Sequence, residues 1–168
     1  MSQKGRRHTL KSKEAKQVLA EASKILKVNL EELIGSKQSV EVAEAEFTRI
    51  FLVNGKPSLF KAGETLLPTL LFTEVLKKIP KIVVDMGAVP YVCKGADVMA
   101  PGIVRIEGDF AKGDIVVIVD EKHGKPLSLG QSLLDSENAE VAKQGAVVKN
   151  LHFVSDKVWN VYKTMVND

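Results

Sequence analysis

The stretch IVVDMGAVPYVCKGADVMAPGIVRI, residues 82–106, decides the fold of the second half of this chain. It opens with a β-branched run, turns at Gly87, and continues into a short apolar segment with Pro90 near its start and Gly95 after its end. Proline is favoured in the first turn of a helix, where its missing N–H costs nothing, and glycine is favoured where a helix stops. The stretch therefore predicts a strand, a short helix over residues 88–94 and a further strand.

The rest of the second half continues this pattern, because short β-branched segments alternate with glycines. The segments predicted as strands are residues 82–85, 102–106, 115–120, 126–129 and 146–154. Short strands separated by glycine favour a small barrel. A helical pattern over residues 137–143 lies between two of these strands, and another over residues 156–166 follows the last strand.

The first half changes from helical to strand periodicity. Apolar residues at helical spacing predict a helix over residues 13–27, and Asn29 and Gly35 bracket a shorter one. Asn54-Gly55 between two β-rich runs predicts a hairpin. This half is therefore an α+β unit. Because Pro80 stops the preceding helical pattern, we predict domains over residues 1–78 and 79–168.

Charge is distributed unevenly along the 168 residues. Residues 1–79 carry 14 Lys and Arg against 9 Asp and Glu, whereas residues 80–168 carry 10 against 12. The first 13 residues contain no acid and form a basic arm of Lys4, Arg6, Arg7, Lys11 and Lys13. Such an arm is either a solvated terminus or a segment that lies along nucleic acid, and both interpretations stay open. No apolar run is long enough to span a bilayer, and the N-terminus does not resemble a secretory signal.

The sequence shows no pattern typical of an enzyme or a metalloprotein. His8, His123 and His152 are far apart, and Cys93 has no partner thiol. His152 and Asp156 lie close in sequence, which is most simply a surface pair. Glycine motifs that bind phosphates or activate a serine are missing. We therefore expect no catalytic residues, no metal and no cofactor.

The turn around Gly87 is one place where local physics favours binding. The first turn of a helix has unpaired N–H groups with positive dipole character, and Gly87 and Ala88 leave these groups uncovered. A phosphate or a ribose oxygen could dock there. Lys94 and Gly95 could present a charge and an open backbone at the other end of the same helix.

The second half resembles the PUA domain, an RNA-binding fold named for pseudouridine synthases and archaeosine transglycosylases. The motifs that carry the resemblance run in order from residue 80 to about 155: Val84–Val89, Lys94–Ile103, Gly108–Phe110, Gly113–Val116, Gly130, Gly145–Val148 and the closing strand through His152. The resemblance implies a mainly-β pseudobarrel with short helices, which follows the α+β N-terminal domain here. It also implies that RNA contacts lie on Gly87, Ala88, Val89, Lys94, Gly95, Ala96, Asp97, Lys149 and His152.

The first half resembles the pre-PUA domain of the malignant T-cell-amplified sequence family. The resemblance rests on Val42–Phe47, Ile50–Pro57 and Leu66–Leu71. A similar arrangement forms the N-terminal half of ligatin-type translation factors, and a chain of this length resembles a stand-alone archaeal member. The resemblance implies action near the small ribosomal subunit and the 3′ end of tRNA. Eukaryotic members work with density-regulated protein, which supplies a separate initiation-factor-like domain.

We therefore expect a non-catalytic RNA-binding protein of the cytoplasm, related to translation, with tRNA or rRNA as ligand and no membrane partner. Under this hypothesis, the protein could also bind the small ribosomal subunit or another translation factor. The alternative is a protein-interaction module, or an accessory subunit that targets an RNA-modifying or ribosome-associated complex. An exposed apolar face on the last helix and an edge strand over residues 40–46 would serve this alternative.

Overall fold

The computed structural model describes residues 6–35 and 37–166 and divides the chain into two compact units. One unit comprises residues 1–76 with 160–168, and the other comprises residues 77–159. The sequence-based domains differ from this division at the C-terminus, where we placed the whole last helix in the second domain. The physical reason is Tyr162, which is fully buried and whose hydroxyl accepts a hydrogen bond from the Leu70 N–H at 3.2 Å.

The first unit combines helices with a five-stranded antiparallel sheet whose strands lie side by side in chain order. Its helices are α1 (Ser12–Leu26), α2 (Leu30–Ile34) and α3 (Thr73–Leu76). Its strands are β1 (Arg7–Thr9), β2 (Val40–Glu44), β3 (Arg49–Val53), β4 (Lys56–Ala62) and β5 (Thr65–Pro68). The α+β expectation is confirmed, and α1 lies against β5.

Two local predictions for this unit are confirmed in detail. The Asn29 side chain accepts the Glu32 N–H at 3.1 Å at the start of α2. Asn54 and Gly55 adopt φ values of 51° and 83°, the left-handed pair that a tight hairpin between β3 and β4 requires. After this hairpin, β5 occupies residues 65–68 and α3 begins at Thr73.

The basic arm contributes a strand to the sheet. Residues 7–9 form β1, which pairs antiparallel with β2 in the register His8 opposite Val42. The expectation that residues 40–46 form an edge strand is therefore wrong, since β2 is paired on both sides. A three-residue strand carries too little alternation to be recognised in a sequence.

The second unit is a six-stranded, curled sheet in the order β7-β11-β10-β9-β6-β8, and the predicted barrel-like fold is confirmed. Its strands are β6 (Lys81–Val84), β7 (Val98–Met99), β8 (Ile103–Glu107), β9 (Ile115–Asp120), β10 (Pro126–Ser132) and β11 (Ala146–Phe153). Its helices are α4 (Val89–Val92), α5 (Ser136–Val141) and the start of α6 (Lys157–Lys163). β6 and β9 are parallel, and the other neighbours are antiparallel.

Gly130 permits a close approach inside this sheet. The register of β10 and β11 shifts between Leu129 and Gly130, and a Cβ placed on Gly130 would lie 2.2 Å from Val148 Cγ1. It would also lie 2.8 Å from the backbone oxygen of Lys149. Only glycine fits here, so this contact fixes how β11 lies against β10.

The last helix does not present the apolar face that the alternative function would need. Tyr162 is buried, and Val158, Trp159 and Met165 are partly buried. Within the residues that the structure describes, no helix has the length and apolar character needed to cross a membrane.

Candidate RNA interface

Carboxylates of the protein itself occupy the turn between β6 and α4. Asp85 Oδ1 accepts the Ala88 N–H at 2.8 Å, and Glu121 Oε1 accepts the Met86 N–H at 3.2 Å. The prediction of a bare amide is therefore wrong at Ala88, because the Asp85 carboxylate takes the place of the expected phosphate. Gly87, which is exposed, lies within this turn, and the partly buried Val89 begins α4 directly after it. Two carboxylates oppose the approach of an anion to this turn.

The segment after α4 is held against β11 by one side chain. Asn150 Nδ2 donates hydrogen bonds to the backbone oxygens of Val92 and Ala96, each at 3.0 Å. The Asn150 N–H is in turn accepted by Asp97 Oδ1 at 3.0 Å. Asp97 therefore has a structural role in addition to its predicted place on the RNA surface.

Gly95 brings the same segment close to the end of β11. Its φ is 95°, and an added Cβ would lie 2.9 Å from Phe153 Cε1. A side chain at this position would be strained and would also collide with the ring. Gly95 was expected to leave its backbone open to a ligand, and it also allows this segment to pack against the Phe153 ring.

The sheet register places Lys149 beside the α4 segment. β7 and β11 pair antiparallel with Val98 opposite Val148, so the residues before Val98 run beside the residues after Val148. The hydrogen bond from the Asn150 N–H to Asp97 Oδ1 lies in this region, directly after Lys149. The structure thus brings Lys94, Ala96, Asp97 and Lys149, all exposed, to one part of the unit.

Tyr91 completes this part of the unit and was missed by the sequence analysis. It lies three residues before Lys94, and 68% of it is exposed. An aromatic residue in so short a helix, with Val92 as its buried member, was the available signal. We refer to Tyr91, Lys94, Ala96, Asp97 and Lys149 as the loop surface.

His152 does not belong to the loop surface, although it was predicted to contact RNA. It is fully buried, and its Nδ1 lies 2.7 Å from Asp156 Oδ2. The expectation of a surface pair is also wrong. Burial raises the pKa of Asp156, but hydrogen bonds from His152 and from the Trp159 and Phe153 N–H groups together hold that pKa below its usual value.

The basic arm separates into residues with different environments. Arg7 is paired with Glu41, with Nε 2.8 Å from Oε2, and the hydrogen bond from Arg7 lowers the pKa of Glu41. Arg6, Lys11 and Lys13 are exposed, and Lys13 lies in the first turn of α1. Lys4 lies outside the described residues.

The pKa values of Asp120 and Cys93 are shifted by burial and backbone hydrogen bonds. Asp120 is buried at the end of β9, where hydrogen bonds from the His123 and Lys125 N–H groups lower its pKa. Burial raises the pKa of the Cys93 thiol. Across residues 6–35 and 37–166, no three His, Cys, Asp or Glu side chains converge to hold a metal ion.

Domain-family comparisons match nearly the whole chain in two consecutive parts. Residues 80–154 match the PUA domain, and residues 6–78 match a domain of unknown function, DUF1947. The chain is therefore a PUA-domain protein with a pre-PUA domain in front, as the sequence predicted.

Relatives that align with most of this chain show its family. An uncharacterized protein of Methanocaldococcus jannaschii, MJ1432, is 38% identical over 92% of this chain and 96% of its own length. Translation machinery-associated protein 20 of Saccharomyces cerevisiae is 30% identical over 78% of this chain and 77% of its own. Malignant T-cell-amplified sequence 1 of Rattus norvegicus is 29% identical over 79% and 76%. This chain belongs to the family of translation machinery-associated protein 20 and malignant T-cell-amplified sequence 1.

A solved structure and a partial relative agree with this assignment. The crystal structure of a hypothetical protein of Pyrococcus horikoshii matches with a TM-score of 0.79 and 33% identity, over 94% of this chain and 99% of that one. A probable tRNA pseudouridine synthase B of Pyrobaculum arsenaticum is 43% identical over 76 residues, which span 45% of this chain and 23% of that protein.

Proposed function

We propose that this protein binds structured RNA without catalysing a reaction, and that it does so as part of the translation machinery in the cytoplasm. In this proposal the loop surface takes an unpaired stretch beside a helical stem, such as the 3′ end of tRNA or a segment of small-subunit rRNA. Gly87 and Val89 would contact the RNA from the edge of that surface.

Family membership supports the general role. A relative named for the translation machinery aligns with 78% of this chain, which itself matches the PUA domain. Both observations support an RNA-binding, translation-related role. The 76-residue match to a tRNA-modifying enzyme covers less than a quarter of that enzyme. We therefore carry over to this chain an RNA-binding part and no catalytic activity.

The exposure of Tyr91 is the observation that carries the proposal. Unpaired bases of RNA stack on aromatic side chains, and each such contact contributes about 1–3 kcal/mol. Lys94 lies three residues further on and is exposed, so in this proposal its ammonium group pairs with a phosphate of the same RNA. The carboxylates of Asp85, Asp97 and Glu121 disfavour a general attraction for phosphate, so we expect individual contacts to dominate.

The test is binding of a fluorescent RNA hairpin with an unpaired 3′ tail to the full chain. Tyr91→Ala should raise Kd between about fivefold and 150-fold, as the loss of one base-stacking contact implies. Tyr91→Phe keeps the ring and should bind like the original chain. If Tyr91→Ala binds the tailed hairpin as tightly as Tyr91→Phe, the loop surface is not the RNA site.

Charge reversals test the same surface independently. Lys94→Glu should weaken binding more than Lys122→Glu, which makes the same charge change at another exposed position. Equal effects of the two variants would argue against the loop surface. Crosslinking in cells, followed by sequencing of the bound RNA, separates tRNA ends from small-subunit rRNA as targets.

One observation favours the alternative, a protein-interaction or accessory role. Val141 on α5 is 71% exposed and Val104 on β8 is 45% exposed, and a groove of about 190 Å³ lies between these two elements. Exposed apolar residues mark a protein contact where they form one contiguous patch, and this is what the alternative requires of this region. Purification from native lysate with and without nuclease distinguishes the roles, since partners retained after nuclease treatment would favour the alternative.

A further inference from the structure

Helix α1 carries a row of lysines along one side. Four lysines lie on this side of the helix, because they are spaced by three, eight and three residues. They are Lys13, Lys16, Lys24 and, at the helix end, Lys27. The small residues Ala20 and Ser23 lie between them on the same side. We refer to these four lysines as the lysine stripe. By a rise of 1.5 Å per residue, the stripe is about 21 Å long.

The remaining sides of α1 have different partners. Ala15, Leu19, Ala22 and Leu26 are buried. Glu14 and Glu21 line a separate groove, where the Glu21 carboxylate lies 3.7 Å from Lys61 Nζ. The helix thus separates Glu14 and Glu21 from the side that carries Lys13, Lys16 and Lys24.

A groove of about 600 Å³ runs beside the stripe within the same unit. Lys16, Lys24 and Lys27 line it, and its other lining residues come from α1 and the start of α2: Leu19, Ala20, Ser23, Val28, Asn29 and Glu31. Glu31 is its one acidic lining residue. Three lysines against one glutamate, around a floor of small side chains, suit an extended polyanion.

The ion pairs of the described residues leave most of this charge uncompensated. Arg7, Arg49 and Lys61 each have a glutamate within 4 Å, whereas Lys13, Lys16 and Lys24 take part in no ion pair within residues 6–35 and 37–166. Lys13 and Lys16 also lie in the first turns of α1, where the helix dipole disfavours positive charge. Helix stability therefore does not explain their position.

We propose that the lysine stripe binds the sugar-phosphate backbone of RNA and forms a second contact surface on the first domain. The inference rests on the proposed function for the nature of the ligand, and it assigns α1 a role that neither the loop surface nor the basic arm covers. Lysine ammonium groups bind phosphates as point charges without reading bases, so this surface would supply affinity and not sequence specificity.

The test compares two double variants of the full chain across a salt series, with the tailed RNA hairpin as probe. Lys16→Gln with Lys24→Gln removes two exposed charges from the stripe and keeps good helix formers. Lys37→Gln with Lys56→Gln removes the same charge from exposed positions outside it. Circular dichroism checks that both variants are folded.

Loss of two phosphate contacts should reduce the slope of log K against log salt by about 1.4–1.8. At about 0.15 M salt the same slope change raises Kd by about 15- to 30-fold. The Lys37 and Lys56 double variant should keep the original slope. An unchanged slope and a Kd within about twofold for the stripe variant would overturn the inference.

The Tyr91→Ala variant separates this inference from the proposed function. Stacking involves no counterion release, so Tyr91→Ala should weaken binding in parallel at every salt concentration. A stripe variant that behaves like the original chain, while Tyr91→Ala is weakened, overturns the stripe alone. An original chain that binds no RNA overturns the proposed function itself.

Discussion

Replacing Asn150 by aspartate should loosen the RNA-facing segment with almost no change in side-chain shape. The substitution puts an oxygen where Asn150 Nδ2 now donates to the Val92 and Ala96 oxygens. Each lost hydrogen bond removes about 0.5–1.5 kcal/mol, and a carboxylate facing two carbonyl oxygens adds repulsion. Because Asp97 lies next to the same backbone, we expect a total loss of about 3 kcal/mol in the free energy of unfolding.

Urea unfolding followed by the fluorescence of Trp159 measures this loss. Trp159 is the single tryptophan of the chain and belongs to the same unit as Asn150. Asn138→Asp is the matched control, because Asn138 is exposed on α5 and should change stability by less than about 0.5 kcal/mol. Protonation of the introduced carboxyl restores a donor, so the loss from Asn150→Asp should be smaller at about pH 4 than at about pH 7.

The same variant connects stability to binding. Since Asn150 positions the backbone that carries Lys94 and Ala96, the tailed RNA hairpin should bind more weakly to Asn150→Asp than to Asn138→Asp. If Asn150→Asp and its control unfold at the same urea concentration, the two hydrogen bonds do not hold the segment, and the account of the loop surface is wrong.

Two further predictions concern the second unit. Gly130→Ala should lower the free energy of unfolding by about 3 kcal/mol or more, because the added Cβ would meet the Lys149 backbone. Gly113→Ala is the control: its Cβ meets nothing within 4 Å, and the positive φ should lower the free energy of unfolding by only about 1–2 kcal/mol. Equal urea midpoints for the two variants would refute the role of the close contact. Asp156→Asn should cost about 2–3 kcal/mol at neutral pH. Because the pKa of Asp156 is lowered, its contribution to the free energy of unfolding is complete above the ordinary carboxyl pKa of about 3.9. That contribution disappears as pH falls through the lowered pKa. The unfolding curves of Asp156→Asn and the original chain should therefore converge over this pH range.

The sequence predicted best those features that depend on neighbouring residues. The Asn54-Gly55 hairpin and the Asn29 cap follow from local backbone preferences, and the structure has both. β1 was not predicted because its stability comes from pairing with β2, more than thirty residues away. No local signal in three residues reports such a partner.

The candidate site was harder to predict, because its chemistry depends on residues distant in sequence. The Met86 N–H is capped by Glu121, which lies 35 residues further along the chain, so the turn looked more open than it is. His152 lies on a strand with alternating exposure, and only the observed register shows that it points inward. Tyr91, by contrast, could have been found, since an aromatic residue near Lys94 on so short a helix has little space in a core.

The short strand β1 affects whether the edge of the first sheet can pair with another molecule. An unpaired strand edge is a template on which another chain can add, and proteins protect such edges with brief, charged strands. β1 is three residues long, all three residues are exposed, and it carries Arg7 and His8 on the outer border of the sheet. Because β1 pairs with the outer side of β2, removal of residues 7–9 would leave that side of β2 unpaired and open to a strand from a second copy.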